Sequence, residues 1–440
     1  MDLAIRRWES LDTHEQEALL ARPVLRDAEE RRAEVRRIIE QVRRDGDAAL
    51  VELTARYDGV ELDSLRVSEA ELAAAEQALA PAALAAIDVA IANVRRFHAA
   101  QAAGDYATVT FPGIRCERVS HPIDAVGLYV PAGSAPLPST AIMLAVPAAL
   151  AGCPRRIMCT PPRRDGRADP AVLVAAVRAG VSEIYKAGGA HAIAAMAYGT
   201  ETLPKVDRIF GPGSAWVTAA KTEIAADPAA ATIDMAAGPS ELLVIADANA
   251  NPAFVAADLL SQAEHGADSQ VLLVTPDETL ALAVLSELER QLPGLERRET
   301  AAAALEHARV LVVRDLETAA AISNRYAPEH LSVQTADPRA LLPALRNAGS
   351  VFLGPWSPET AGDYASGTNH VLPTYGQARS VSGLGVDRFR RQMTVQELSE
   401  DGLRAIAGTL LELAALEGLD AHAQAVRRRL ARPPCAEEAP

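Results

Sequence analysis

Nine short runs of β-forming residues, each followed by a helix-length stretch, constrain this chain more than any other feature. They are A-V-G-L-Y-V from Ala125, R-I-M-C-T from Arg156, E-I-Y-K-A from Glu183, R-I-F-G from Arg208, L-L-V-I-A from Leu242, Q-V-L-L-V from Gln270, R-V-L-V-V from Arg309, L-S-V from Leu331 and S-V-F-L from Ser350. Strands that alternate with helices imply parallel sheets covered on both faces. Nine strands fit two α/β units better than one, the first over residues 129–239 and the second from 240 to about 384.

Helical periodicity frames this region. From about Asp27 to Ala103, Val35, Ile38, Ile39 and Val42 recur at three-to-four spacing, with D-G at 45 and 58 as expected breaks. After residue 385 the pattern is again helical, through V-Q-E-L-S-E-D-G-L-R-A-I-A-G-T-L-L-E-L-A-A-L-E-G-L. At 440 residues, with 49% hydrophobic and 23% charged positions, the composition is that of a soluble globular protein. The 43 basic and 58 acidic side chains leave a formal charge of −15, which argues against nucleic acid or an anionic membrane as the main partner. Four cysteines, Cys116, Cys153, Cys159 and Cys435, form no C-x-x-C pair, so a reducing cytoplasm is expected. The N-terminus lacks the order of a signal peptide, and the longest apolar run, Ala141 to Cys153, is too short to span a bilayer.

Two clusters carry the chemistry. In S-Q-A-E-H, Gln262 and His265 are three apart on an expected helix, so both side chains emerge on one face and can converge on a metal ion. Read alone, the same pair is also an ordinary polar couple on a helix surface. In A-P-E-H, Glu329 and His330 supply an adjacent carboxylate and imidazole suited to moving protons, with an exposed acid beside a strand-capping histidine as the plain alternative. Asp363 sits in a Gly-rich stretch where an acid commonly forms a turn, and His422 on a polar helix whose default is solvation. His370 lies in a loop containing Gly367, and Glu417 at a helix end where the dipole disfavours an acid.

No full G-x-G-x-x-G is present. Three strand-to-loop turns rich in small residues, Y-V-P-A-G-S from Tyr129, K-A-G-G-A-H-A from Lys186 and G-P-G-S-A-W from Gly211, nevertheless fall in one α/β unit, where carboxyl-end turns bind ligands.

Taken in order, these segments resemble the histidinol dehydrogenase family from about Arg26 to Arg428. The resemblance rests on I-D-x-x-A-G-P-S-E followed by S-Q-A-E-H, with A-P-E-H-L, S-G-x-N-H-V-L-P-T and E-G-L-x-x-H in support. It implies an α/β fold of two incomplete Rossmann-like domains plus helical terminal segments. Residues 1–25 would form a helical segment, 26–128 with 240–384 a discontinuous substrate and zinc domain, 129–239 the NAD domain, and 385–440 a helical segment reaching the partner of a homodimer. It implies zinc on Gln262, His265, Asp363 and His422. Ser240, Glu329, His330, Tyr364, His370 and Glu417 would surround the substrate, and Tyr129, His191 and Ser214 would contact NAD. The family usually carries glutamine at position 191 and asparagine at 214, so weaker hydrogen bonds to NAD are expected here. The implied reaction is the four-electron oxidation of L-histidinol through L-histidinal to L-histidine with two NAD. Glu329 and His330 would serve both steps. A zinc dehydrogenase of another small alcohol and a nucleotide-free zinc hydrolase are the competing readings.

Overall fold

A computed structural model of the chain describes residues 3–23, 28–101, 104–132, 135–235 and 238–431. Arg26, which opens the resemblance, and Cys435 lie outside the described residues. Two compact units are present: Met1–Gln101 with Ile123–Phe389, and Ala102–Pro122 with Arg390–Pro440.

The strands begin with β1 (Ile5–Arg7), β2 (Tyr106–Phe111), β3 (Ile114–Pro122), β4 (Ala125–Tyr129), β5 (Arg155–Thr160), β6 (Glu183–Lys186) and β7 (Arg208–Phe210). There follow β8 (Thr232–Ile233), β9 (Glu241–Ala246), β10 (Gln270–Thr275), β11 (Arg309–Val312), β12 (His330–Gln334), β13 (Ser350–Leu353) and β14 (Arg390–Leu398). All nine runs expected as strands are strands. Together with β1 and β8, they form two parallel sheets in the first unit, a five-stranded one in the order β6-β5-β4-β7-β8 and a six-stranded one in the order β1-β11-β10-β9-β12-β13.

Period-two alternation sends successive side chains of each strand into cores on opposite faces. In the six-stranded sheet, Leu242, Val244, Val271 and Leu273 join one core while Leu243, Ile245, Leu272 and Val274 join another. The five-stranded sheet divides likewise, with Val126, Leu128 and Met158 on one side and Tyr129, Ile157 and Cys159 on the other. The long helix Ala28–Asp58 runs through the first D-G with a kink at Gly46 and stops at the second. Burial of His98 among these helices, with its Nδ1 2.9 Å from the Val94 carbonyl, makes it a core residue.

The terminal segments are less purely helical than the resemblance implies. Within residues 1–25, β1 adds a parallel edge strand beside β11, ahead of the helix Thr13–Leu20. The five-stranded sheet starts at Ala125, four residues before the expected boundary. The second unit holds an antiparallel sheet, β14-β3-β2, followed by the helices Glu400–Leu416 and Asp420–Leu430. Gly402 admits the first of these helices against the Gly113 carbonyl, where a Cβ would approach to 2.4 Å. Among the described residues, no single helix is long and apolar enough to cross a membrane.

Candidate active site

Most sequence-predicted site residues of the first unit gather at the amino edge of the six-stranded sheet. Glu241 opens β9 and His330 opens β12, and the two strands pair with His330 opposite Leu242. The helix Leu316–Tyr326 ends at Ala327 in the left-handed region (φ 53°), which turns the chain through Pro328 and Glu329 into β12. A non-glycine residue held there costs about 1 kcal/mol or more, so surrounding contacts must maintain it.

The Glu241 backbone grips both members of the A-P-E-H couple. Its N–H donates to Glu329 Oε2 at 2.9 Å, and its carbonyl lies 3.1 Å from His330 Nδ1. A carbonyl only accepts, so the Nδ1 proton is placed there and Nε2 is left as the basic nitrogen. His330 Nε2 is buried, has no hydrogen-bond partner and lies 3.9 Å from Asp363 Oδ1. Burial pushes the His330 pKa down to about 4. The imidazole is therefore neutral at pH 7 and ready to accept a proton. Burial, reinforced by the carboxylates of Glu241, Asp363 and Glu359, holds Glu329 well above the usual carboxylate range.

Gln262 lies in the last turn of the helix Pro252–Ala263, which Asn251 caps at its start, and His265 follows just beyond the helix end. His265 is exposed and its Nε2 stands 3.7 Å from Asp363 Oδ2. Asp363 comes from the short helix Glu359–Tyr364 together with Glu359, one turn earlier. One donor atom each from His265, Glu359 and Asp363 lies within 4.8 Å of the other two. Glu359 is almost fully buried and accepts from Ser261 Oγ at 3.1 Å. Sequence reasoning missed it; the signal was its i,i+4 spacing from Asp363, which puts both acids on one helix face.

These residues fit a divalent cation. Both amide atoms of Gln262 and Oε1 of Glu359 are buried without a hydrogen-bond partner, a costly arrangement unless something else satisfies them. Oxygen and imidazole donors of this kind suit zinc. Ser240 sits immediately before β9, half-buried, and Tyr364 is 57% exposed. His370 donates from Nδ1 to the Asp363 carbonyl at 2.9 Å, while its Nε2 is 3.3 Å from Thr140 Oγ1. Glu417 and His422 belong to the second unit, where both are exposed.

The three small-residue turns all follow strands of the five-stranded sheet at their carboxyl ends, with Gly133 and Ser134 of the first lying outside the described residues. Tyr129 is buried, and its hydroxyl accepts from the Gly189 N–H at 2.9 Å. His191 is buried, its Nε2 3.3 Å from Thr54 Oγ1 and its ring stacked near Tyr57. Ser214 is exposed ahead of the helix Ala215–Ala225 and makes no side-chain cap. The loop between them is fixed from beneath: buried Lys221 pairs with Asp234 and donates to the Gly211 carbonyl at 2.9 Å. A cavity of about 680 Å³ opens beside the first of these turns, lined by Tyr57, Asp58, Ala132, Pro161, Pro162, Arg163, Arg164 and Asp165. Burial raises the Asp58 pKa to about 6 and leaves its Oδ2 without a partner. The P-P-R-R-D stretch directly after β5 was the overlooked signal for this cavity.

The family model described as Histidinol dehydrogenase matches residues 22–430. The chain belongs to the histidinol dehydrogenase family. A histidinol dehydrogenase from Xanthomonas axonopodis pv. citri is 56% identical over 428 residues, covering 97% of this chain and 99% of its own. One from Vibrio parahaemolyticus is 51% identical, covering 96% and 97%. The crystal structure of histidinol dehydrogenase from Elizabethkingia anophelis superposes with a TM-score of 0.93 at 44% identity, covering 97% of this chain and 98% of that one. As a histidinol dehydrogenase the protein is an NAD-dependent oxidoreductase with zinc, and it carries L-histidinol to L-histidine in two oxidation steps. That reaction sets aside the nucleotide-free hydrolase.

Proposed function

We propose that the amino edge of the six-stranded sheet is where histidinol dehydrogenation takes place, with the five-stranded sheet holding NAD. The observation that carries this reading is the Glu241 backbone fixing Glu329 and His330 beside the His265, Glu359 and Asp363 cluster. Gln262, His265 and Asp363 would hold zinc together with His422 from a second copy of the chain. Ser240, Tyr364, His370 and a second copy's Glu417 would line the substrate. When bound, zinc supplies an anchor for the substrate's imidazole and amine, and NAD supplies the hydride acceptor.

His330 takes the hydroxyl proton at Nε2 as hydride leaves the alcohol carbon. At the aldehyde, Glu329 takes a proton from the attacking water and the carbonyl oxygen takes back the one held on His330, which frees Nε2 for the last step. His330 then takes a proton from the resulting hydrate as the second hydride leaves. Burial and the neighbouring acids raise the Glu329 pKa and so favour its protonated form, and a cation held in this cluster would oppose that shift. Tyr129, His191 and Ser214 would contact NAD, and Arg163 and Arg164 line the neighbouring cavity together with Asp58 and Asp165.

A homodimer suits the second unit. Tyr106, Val109, Phe111, Met393, Val395, Leu413 and Leu416 are all exposed there, and Leu416 keeps 82% of its surface. Apolar side chains in such number call for cover, and a second copy would also deliver Glu417 and His422. The acidic charge and a cysteine pattern without a C-x-x-C pair accord with a cytoplasmic location.

Mixing two inactive variants tests the reading. Glu329→Gln and His422→Ala, denatured together and refolded with zinc, should regain about a quarter of wild-type activity, because half the dimers are mixed and each has one intact site. A mixture no more active than its parents would refute sharing.

A further inference from the structure

We infer that the Arg22–Glu241 ion pair is the positioning element of the active site, setting the Glu329/His330 couple without touching substrate. The inference rests on the reading of Glu329 and His330 as the proton-moving residues. Arg22 grips Glu241 with two parallel hydrogen bonds, Nε to Oε1 at 2.7 Å and Nη2 to Oε2 at 2.9 Å. Their side chains keep only 15% and 3% of their surface. Such a fork fixes orientation as well as distance.

Both ends of the couple's support meet at this pair. Through its backbone, Glu241 donates to Glu329 and accepts from His330. Arg22 Nη2 also donates to the carbonyls of Tyr326 at 2.9 Å and Ala327 at 3.4 Å, the turn that delivers Glu329 and His330. The guanidinium lies over the Tyr326 ring, 4.0 Å from its centre.

Two non-glycine residues have left-handed backbone among those described, Ala327 and Tyr375. Arg22 holds the first, and Glu241 Oε1 accepts the N–H of the second at 2.8 Å. Strained residues persist only where neighbours over-determine them. The strain at this site is thus maintained from one ion pair. The preceding residue is tied down as well, since the Ala21 carbonyl accepts from Gln270 Nε2 at 3.1 Å and Gln270 Oε1 accepts from the Tyr326 hydroxyl at 2.8 Å.

The test compares Arg22→Met, Arg22→Lys and Glu329→Gln in the zinc-loaded enzyme. Arg22→Met should lower kcat by about tenfold to a hundredfold, the scale of a small misplacement, with KM for L-histidinol within about twofold and zinc per chain unchanged. Arg22→Lys keeps the charge without the fork and should fall between, while millimolar guanidinium should partly restore Arg22→Met. Because Arg22→Met leaves a buried carboxylate without its cation, the neutral pair Arg22→Met with Glu241→Gln is the second variant and should show the same kcat loss. Arg22→Met added to the double variant Glu329→Gln with His330→Asn should be no slower than that double variant alone, since Arg22 acts through the couple. Losses that multiply, or wild-type kcat in the zinc-loaded Arg22 variants, would overturn the inference alone. Wild-type kcat in Glu329→Gln would overturn the reading beneath it as well.

Discussion

His330 Nδ1 lies 3.1 Å from the carbonyl oxygen of Glu241, so the imidazole keeps its proton on that side and presents Nε2 toward Asp363. The tautomer follows from one backbone contact. A base prepared in this way needs no charge of its own before reaction, in keeping with a pKa lowered to about 4 by burial.

Replacing that base should leave binding while removing proton transfer. His330→Asn keeps a side-chain donor for the Glu241 carbonyl but has no basic nitrogen. We expect kcat to fall by about 10² to 10⁴, with KM for L-histidinol little changed. A rise in KM at constant kcat would instead assign His330 to binding alone.

Glu359 should matter for metal affinity. It is buried against Ser261 and shares the cluster with His265 and Asp363. Glu359→Gln preserves shape and removes the negative charge, so zinc should bind about tenfold to a hundredfold more weakly in competition with a chromophoric chelator. Equal affinity in the two proteins would show that this carboxyl neither touches nor orients the metal.

Acid stability should report His191. Burial pushes its pKa from the ordinary 6.5 down to about 4. Between those values the unfolded chain binds a proton that the folded chain does not. Its contribution is therefore complete above pH 6.5 and declines as pH falls toward 4, by on the order of 3 kcal/mol. Urea unfolding of His191→Gln should show a shallower loss of stability from pH 7 to pH 4.5 than the parent. Parallel stability curves would mean that the buried ring does not resist protonation.

Nine of the parallel strands were legible because each holds a short, largely apolar run, as Leu242 to Ala246 shows, and burial on both faces favours that pattern. The other strands carried no such mark. In β14, Arg390–Leu398, polar and apolar residues mix and nearly all are exposed, so its V-Q-E-L end reads equally well as the start of the helix that follows. Gln262, His265, Glu329, His330 and Asp363 were found as motifs because each offers a reactive side chain. Glu241 was not, since it acts on the couple through its backbone, and its partner Arg22 stands 219 residues away. Glu359 was hidden by Pro358, which makes its surroundings look like loop although a short helix begins there.

The most direct test counts reduced cofactor. Zinc-loaded protein given L-histidinol and excess NAD should form two NADH, read at 340 nm, for each L-histidine released, because one couple of residues serves both oxidations. One NADH with free L-histidinal accumulating, or none, would contradict the account.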